Sequence, residues 1–201
     1  MKTLKEILEA SILADIDDQL EYGDEVLKSM IIEWLKANAI SMQENKLNFN
    51  FNTAPITVNY GADIRFKNNI ESLTNGTFQW GEVRGNFSCT YCASLKSLEG
   101  APKEVGGNFS CHCCKSLKSL KGAPKEVGEY CYCNYCESLK SLNGAPKEVG
   151  KSFYCDNCAS LKSLNGAPKK VEGEFWCNKC GSKFTVDDVE HICKVKGRIY
   201  C

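Results

Sequence analysis

The most regular feature of the chain is a pattern of apolar and polar positions that returns every 22 residues between residues 85 and 172. Each copy begins with an alternating apolar–polar run, followed by Leu-x-x-Leu, a Gly-Ala-Pro turn and a valine. Alternation with a period of two predicts a short strand, and the Gly-Ala-Pro segment predicts a tight turn rather than a long helix. A period this short predicts a solenoid whose stacked turns share one hydrophobic core.

Four copies of this repeat align without a gap, and they begin at Gly85, Gly107, Glu129 and Lys151. A fifth copy, from Gly173, keeps the first half of the pattern and changes the second half. Upstream, residues 68–83 keep Leu73 and Val83 in phase with the copies that follow. We therefore expect a degenerate turn before the gapless copies and a modified turn after them.

The segment before the repeats predicts two amphipathic helices. Apolar residues recur at helical spacing over residues 3–20 and 24–38, which is the period of a helix with one buried face. Gly23 is predicted to separate the two helices, and Asp24 is predicted to N-cap the second one. These helices are expected to lie against the first turn of the solenoid.

Further elements are predicted on both sides of the repeats. The segments LNFNF at 47–51 and ITVNY at 56–60 alternate with a period of two and predict a β-hairpin. After the fifth copy begins, Thr185 and Asp188 form a variant of the capping box and predict a short helix. The residues from Val195 return to the repeat phase and predict one more strand. Because the terminal turns of a solenoid would otherwise expose the core, these elements are predicted to cap it.

The repeat resembles a leucine-rich repeat, whose signature is L-x-x-L-x-L-x-x-N/C-x-L over about 20–29 residues. In the second copy Phe109 and Cys111 take the apolar strand positions, and Cys114 takes the Asn/Cys position. The unit is similar, more narrowly, to repeat proteins of bacteriophages and gut bacteria, and the resemblance is specific over residues 64–201. It implies a leucine-rich-repeat-like β-solenoid with a concave binding face.

The chain contains 14 cysteines among 201 residues, so the redox compartment matters. The amino-terminal sequence lacks the continuous apolar segment of a signal peptide, and no run approaches the roughly 18 apolar residues of a membrane span. We therefore expect a cytoplasmic protein, in the host cytosol if it is encoded by a phage. In such a reducing compartment, free thiols or metal ligation are favoured over disulfides.

The resemblance gives each C-x-x-C pair a structural interpretation. The second cysteine of each pair is expected to form a buried ladder that hydrogen-bonds the backbone, because unpaired buried polar groups are costly. This cysteine ladder comprises Cys92, Cys114, Cys136, Cys158 and Cys180. The first cysteine of each pair is expected to be a strand residue of the core, and this set comprises Cys89, Cys111, Cys133, Cys155 and Cys177. On this interpretation the protein needs no cofactor.

Zinc is the alternative interpretation of the cysteine pairs, since C-x-x-C is a known zinc signature. The strongest candidate is a Cys₃His set of Cys177, Cys180, His191 and Cys193. The second pair has one residue between its ligands, which departs from the usual spacing. Stacked turns would also allow two neighbouring repeats to share four thiolates.

Charge gives no global argument for nucleic acid, because the chain has 25 basic and 25 acidic residues. Lysines nevertheless repeat in register and would form two columns along the solenoid. One column is Lys96, Lys118, Lys140 and Lys162, and the other is Lys103, Lys125, Lys147 and Lys169. Such columns would suit phosphates or an acidic protein, although repeat duplication alone also produces solvated charges in register.

The outward strand positions differ most between copies, whereas SLKSLxGAP is almost invariant. Strand alternation directs these variable side chains away from the core, onto the predicted concave sheet. Tyrosine and tryptophan are favoured anchors in protein interfaces, although neutral drift on an unconstrained face would also vary these positions. The candidate partner-binding residues are His112, Tyr130, Tyr132, Tyr154, Asp156 and Trp176.

Together these patterns predict an α+β protein with a helical and hairpin cap over 1–62 and a solenoid with its C-terminal cap over 63–201. No motif places a serine or cysteine nucleophile against either histidine, so we expect a non-enzymatic protein-binding module. The family resemblance suggests a phage-encoded inhibitor of a host or defence protein. The alternatives are a zinc-stabilised nucleic-acid-binding protein and a structural virion component.

Overall fold

The structure of the protein is a computed structural model that describes residues 16–201. The chain winds into a β-solenoid of about seven turns, accompanied by two helices. Each turn contributes one short strand to each of two sheets. The solenoid predicted from the 22-residue period is therefore confirmed, while its leucine-rich-repeat identity stays a prediction.

Sheet 1 contains the strand that opens each repeat. In spatial order its strands are β1 (Ala39–Ser41), β4 (Ile64–Phe66), β6 (Phe87–Ser88), β8 (Phe109–Ser110), β10 (Cys131–Tyr132), β12 (Phe153–Tyr154), β14 (Phe175–Trp176) and β16 (Ile199–Tyr200). Strands β4 to β16 are parallel, and the repeats pair without a shift, as in Phe87 opposite Phe109. Strand β1 pairs antiparallel with β4 at the edge. Equivalent side chains of successive repeats therefore lie side by side.

Sheet 2 contains the Glu-Val or Lys-Val segment near the end of each repeat, where the sequence predicted no strand. Its strands in spatial order are β2 (Leu47–Asn50), β3 (Ile56–Tyr60), β5 (Phe78–Val83), β7 (Glu104–Val105), β9 (Glu126–Val127), β11 (Glu148–Val149), β13 (Lys170–Val171) and β15 (Lys194–Val195). Strands β2 and β3 form the predicted antiparallel hairpin, and β3 continues the parallel stack through β5. The hairpin is thus part of the same sheet as the repeats.

The core lies between the two sheets and is built from equivalent residues of successive repeats. In sheet 1, Phe87 and Phe109 stack with ring centroids 5.9 Å apart and an interplanar angle of 12°, and Phe153 packs on Phe175 at 5.2 Å. Cys131 takes the equivalent position between the two pairs and is also buried. The leucines of Leu-x-x-Leu and the valines of sheet 2 complete the core. The leading turn follows the same pattern, because Leu73 and Val83 are buried and Val83 pairs with Val105.

Helix α1 covers Ile16–Asn38 and packs on the first turn. Its buried residues include Ile31 and Leu35, and the Trp34 ring lies 5.8 Å from the Phe78 ring. The predicted break at Gly23 is wrong, because α1 continues through this residue and Asp24 is therefore not an N-cap. A glycine costs a helix interior only about 1 kcal/mol, which packing of the buried face offsets. Residues 3–15 of the predicted helix over 3–20 lie outside the described residues.

Helix α2 covers Val186–Glu190 and begins at the predicted capping box. Thr185 Oγ1 accepts a hydrogen bond from the Asp188 backbone N–H, and Asp188 Oδ2 accepts one from the Thr185 backbone N–H. Val189 anchors the helix in the core. Strands β15 and β16 then pair in the predicted phase with β13 and β14, although the sequence predicted one strand here and the structure has two. That α1, α2 and these strands act as caps stays a prediction, as does the domain boundary at 62/63.

Candidate functional site

The outer face of sheet 1 carries the variable residues of the repeats. Each of its two-residue strands from β6 to β14 pairs a buried residue with a partly exposed one, as in buried Phe153 and partly exposed Tyr154. This alternation places the predicted outward positions on the surface. Because the strands are parallel and in register, the outward residues form columns that run along the solenoid.

Five rings on this face form an aromatic stack: Tyr132, Tyr154, Trp176 and Tyr200 share one register column, and Tyr130 lies beside Tyr132. Tyr132 and Tyr154 stack with centroids 4.9 Å apart and planes 13° from parallel. The ring centroid of Trp176 lies 5.9 Å from that of Tyr154 and 3.7 Å from that of Tyr200. The structure therefore brings together the four aromatic residues predicted from sequence, and it adds Tyr200. The sequence analysis missed Tyr200, although its register in β16 was predictable from the repeat phase.

Charged side chains flank the aromatic stack. Glu174 accepts hydrogen bonds from the Trp176 indole N–H (3.0 Å) and from the Tyr200 hydroxyl (3.4 Å). The Lys151 ammonium lies 5.1 Å from the centroid of the Tyr130 ring and is paired with Glu129 at 2.8 Å. These contacts hold the rings in position at both ends of the stack.

Two tyrosines in the middle of the stack, Tyr132 and Tyr154, remain neutral at physiological pH. Partial burial raises the pKa of Tyr132, and the neighbouring Tyr154 and Tyr130 raise it further. Burial likewise raises the pKa of Tyr154. Their hydroxyls therefore stay protonated and can donate hydrogen bonds to a partner.

Beside the aromatic stack runs a polar column, composed of Thr90, His112, Asn134, Asp156 and Asn178. Asp156 is 8% exposed, and its Oδ2 accepts a hydrogen bond from Asn157 Nδ2. Its second oxygen, Oδ1, is buried without a hydrogen-bond partner among the described residues, and so is Oδ1 of Asn178. Buried acceptors without a donor are costly, by about 1–3 kcal/mol each.

His112, which the sequence grouped with the aromatic residues, occupies a different environment in the polar column. Its ring lies edge-on to Tyr91 and Tyr135, with centroids 5.3 and 5.4 Å away. Its Nδ1 lies 2.9 Å from Asn134 Oδ1, and its Nε2 lies 3.2 Å from Cys113 Sγ. The sequence analysis missed this pairing, although adjacent histidine and cysteine occur at these positions in the second repeat alone.

The cysteine ladder is buried and hydrogen-bonded as the resemblance implied, except that Cys180 is partly exposed. Each thiol donates to a backbone carbonyl of the preceding turn. The pairs are Cys92 to Lys67 (3.3 Å), Cys114 to Cys89 (3.1 Å), Cys136 to Cys111 (3.2 Å), Cys158 to Cys133 (3.3 Å) and Cys180 to Cys155 (3.2 Å). The ladder thus joins every repeat to the one before it.

Burial keeps the thiols of three other core cysteines, Cys133, Cys155 and Cys193, protonated. It is the main reason why the pKa of Cys133 and Cys155 lies well above the usual value of 9.0, and it raises the pKa of Cys193 to about 11. Since the thiolate is the metal ligand and the nucleophile, a protonated thiol in the core is unreactive. These buried cysteines therefore stabilise the fold as small apolar residues whose thiols can also donate hydrogen bonds.

The four residues of the alternative zinc set have separate partners. Cys177 Sγ lies 3.1 Å from Cys201 Sγ, and Cys180 donates to the backbone of the preceding turn. His191 is exposed, with its Nδ1 2.7 Å from the Asp187 carbonyl oxygen. Across residues 16–201, no group of three or more His, Cys, Asp or Glu side chains is placed to hold a metal ion. The zinc site stays a hypothesis that metal analysis must decide.

The two lysine columns are exposed and stack in register. Backbone hydrogen bonds join Lys140 to Lys118 (3.2 Å) and Lys147 to Lys125 (2.7 Å) in successive turns. On sheet 2 the glutamates of the Glu-Val strands also pair in register, as in Glu104 opposite Glu126. The glutamate column of sheet 2 therefore runs beside a lysine column, and the two do not form a continuous basic face.

No protein-family model matches the chain, and comparison with curated proteins and with solved structures gives no match. The class is therefore defined by the fold itself, a β-solenoid with a stacked aromatic column on one sheet. None of the helices in the described part of the chain is long and apolar enough to cross a membrane.

Proposed function

We propose that the protein is a binding module that engages a protein partner through the outer face of sheet 1. The observation that carries this proposal is the aromatic stack, which keeps five large rings partly exposed in one contiguous cluster. Tyrosine and tryptophan are the residues most often found at the energetic centre of protein interfaces. Rings held by their neighbours also lose little conformational entropy on binding.

The polar column indicates what the partner brings to the stack. Asp156 lies in the polar column beside Tyr154, and the partly exposed Glu174 places a carboxylate beside Trp176. An arginine or lysine side chain would pair with Glu174, and an arginine would also pack against the aromatic rings. We therefore infer a partner with a basic segment at the centre of its contact surface.

The test compares three variants for capture of a partner from the native host. In the first, Tyr132, Tyr154 and Trp176 are replaced by alanine, and we expect capture to be lost while the circular dichroism spectrum is unchanged. In the second, Asp156→Asn keeps the shape and removes the charge, and we expect weaker binding that depends less on salt. Asparagine already occupies the equivalent position at Asn134 and Asn178, so this variant should fold.

The matched control replaces the four lysines of one column, Lys96, Lys118, Lys140 and Lys162, by glutamine. This variant should retain the partner. If the lysine variant loses its partner and the aromatic variant keeps it, the proposal is wrong and an electrostatic or nucleic-acid-binding function replaces it. Metal analysis of the same sample, purified without chelator, should give well under one zinc per chain, whereas two or more tightly held zinc ions would favour the zinc-stabilised alternative.

A further inference from the structure

A second chemical feature lies in the second repeat, apart from the aromatic stack. His112 and Cys113 are adjacent in sequence, and Cys113 Sγ lies 3.2 Å from His112 Nε2. On the other side of the ring, His112 Nδ1 lies 2.9 Å from Asn134 Oδ1. A thiol, an imidazole and an amide are therefore connected in series across the turns of two neighbouring repeats.

The amide fixes the roles of the two imidazole nitrogens. Asn134 Oδ1 is an acceptor, so the proton of a neutral imidazole lies on Nδ1 and is donated to it. The lone pair then lies on Nε2, where it faces the Cys113 thiol. This is the arrangement that allows a histidine to take a proton from a nucleophile while a third group orients the ring.

Cys113 differs from the cysteines of the core in its access to solvent. It is partly exposed, at the turn position occupied by Tyr91 and Tyr135 in the neighbouring repeats. Burial raises the pKa of its thiol, so the group is protonated near neutral pH and needs a base in order to attack. The rings of Tyr91 and Tyr135 are both edge-on to His112 and form apolar walls on the two sides of the imidazole ring.

We propose that Cys113 is a nucleophilic thiol that accepts an acyl group from an ester or thioester donor, with His112 as the general base and Asn134 as a positioning residue. Cys113 Sγ attacks the acyl carbonyl carbon while its proton moves to His112 Nε2. The tetrahedral adduct then collapses, the C–O or C–S bond of the donor breaks, and His112 returns the proton to the departing alcohol or thiol. The products are S-acyl Cys113 and the free alcohol or thiol, and the step needs no oxidant or reductant.

The experiment treats the full chain with p-nitrophenyl acetate and, in a second arm, with a small acetyl thioester. Release of the leaving group gives the rate, and peptide mass mapping locates the acetyl group. We expect acetylation of Cys113 first, removed by hydroxylamine as a thioester should be. Cys201 is the internal control, because it is an exposed thiol paired with Cys177 rather than with a histidine. Reaction with one donor and not the other would identify the donor class.

The variants use residue types that the repeat already places at the same positions. His112→Asn, as at Asn134, should slow acetylation of Cys113 by at least about tenfold, since a positioned general base typically contributes more than that. Asn134→Thr, as at Thr90, should also slow it, while Asn134→Asp should restore the rate because a carboxylate accepts the same hydrogen bond. Cys113→Asn, as at Asn157, should abolish it.

Two results would overturn the proposal. One is acetylation of Cys201 as fast as that of Cys113 in the unchanged protein, since any exposed thiol would then be equivalent. The other is a Cys113 rate that His112→Asn leaves unchanged, with the urea midpoint showing that the variant is folded. Neither result depends on whether the aromatic stack binds a protein.

Discussion

Replacing Gly122 by alanine tests the close stacking of the repeats. Gly122 has a φ of +92°, and a Cβ built on it would lie 2.4 Å from the backbone nitrogen of Glu99 and 2.5 Å from the carbonyl carbon of Leu98. Left-handed backbone costs a residue with a Cβ about 1–2 kcal/mol. Overpacking against atoms that cannot move aside adds about 1–3 kcal/mol. We therefore expect Gly122→Ala to lower the free energy of unfolding by about 2–5 kcal/mol.

Gly76 provides the matched control, because it has a φ of +87° and nothing within 4 Å of a built Cβ. Gly76→Ala should therefore lose only the conformational part, about 1–2 kcal/mol. Urea unfolding followed by circular dichroism measures both variants against the unchanged protein. Equal losses for the two variants would refute the close approach of successive turns at Gly122.

Three further predictions concern the cysteine ladder, helix α1 and alkaline pH. Cys136→Asn should change the free energy of unfolding by no more than about 1 kcal/mol, since an amide can donate to the same carbonyl. Cys136→Lys should instead destabilise the protein by more than about 3 kcal/mol, because it buries a charge. Equal tolerance of both substitutions would mean that the site is exposed. Gly23→Ala should stabilise the protein by about 0.5–1 kcal/mol in urea unfolding, because a Cβ there meets nothing, and no gain would argue against a continuous helix. Thiol pKa values raised by burial, such as that of Cys193 at about 11, mean that the unfolded chain releases protons first. The urea midpoint should therefore be constant below about pH 8 and fall as the pH rises through 9.0 toward 11, and a midpoint constant to pH 11 would contradict this.

Repetition made much of the fold predictable from the sequence. Phe109, Cys111 and Cys114 lie in the core where the repeat pattern placed them, and the hairpin of β2 and β3 follows from its alternation. When five copies carry the same residue type at one position, an error of one residue in register would turn a whole column outward. The periodic signal is therefore much stronger than that of any single strand.

The parts that the sequence missed depend on weaker or local signals. Gly23 lies within α1 because a single glycine is tolerated when Ile31 and Leu35 anchor the helix in the core. The strands that the repeats contribute to sheet 2, from β7 to β15, are two residues long, too short for alternation to identify them. Sheet 2 forms because the repeat places each Glu-Val segment beside its copy in the next turn.

Columns on the surface were easier to predict than the contacts within them. The repeat register alone brings Tyr154 beside Trp176. The contact between His112 and Cys113 depends instead on side-chain rotamers and on the turn conformation at Cys113. Neither of these leaves a pattern in the sequence, so the adjacent His-Cys pair was visible but its geometry was not.

Site-specific photo-cross-linking in the native host tests binding through the aromatic stack most directly. A photoreactive benzoylphenylalanine is introduced in place of Tyr154, within the stack, and in a separate sample in place of the exposed Lys162. We predict a covalent adduct with one protein from position 154, lost when Trp176→Ala is added, and no adduct with that protein from position 162. An adduct from position 162 without one from position 154 would contradict the proposed binding face.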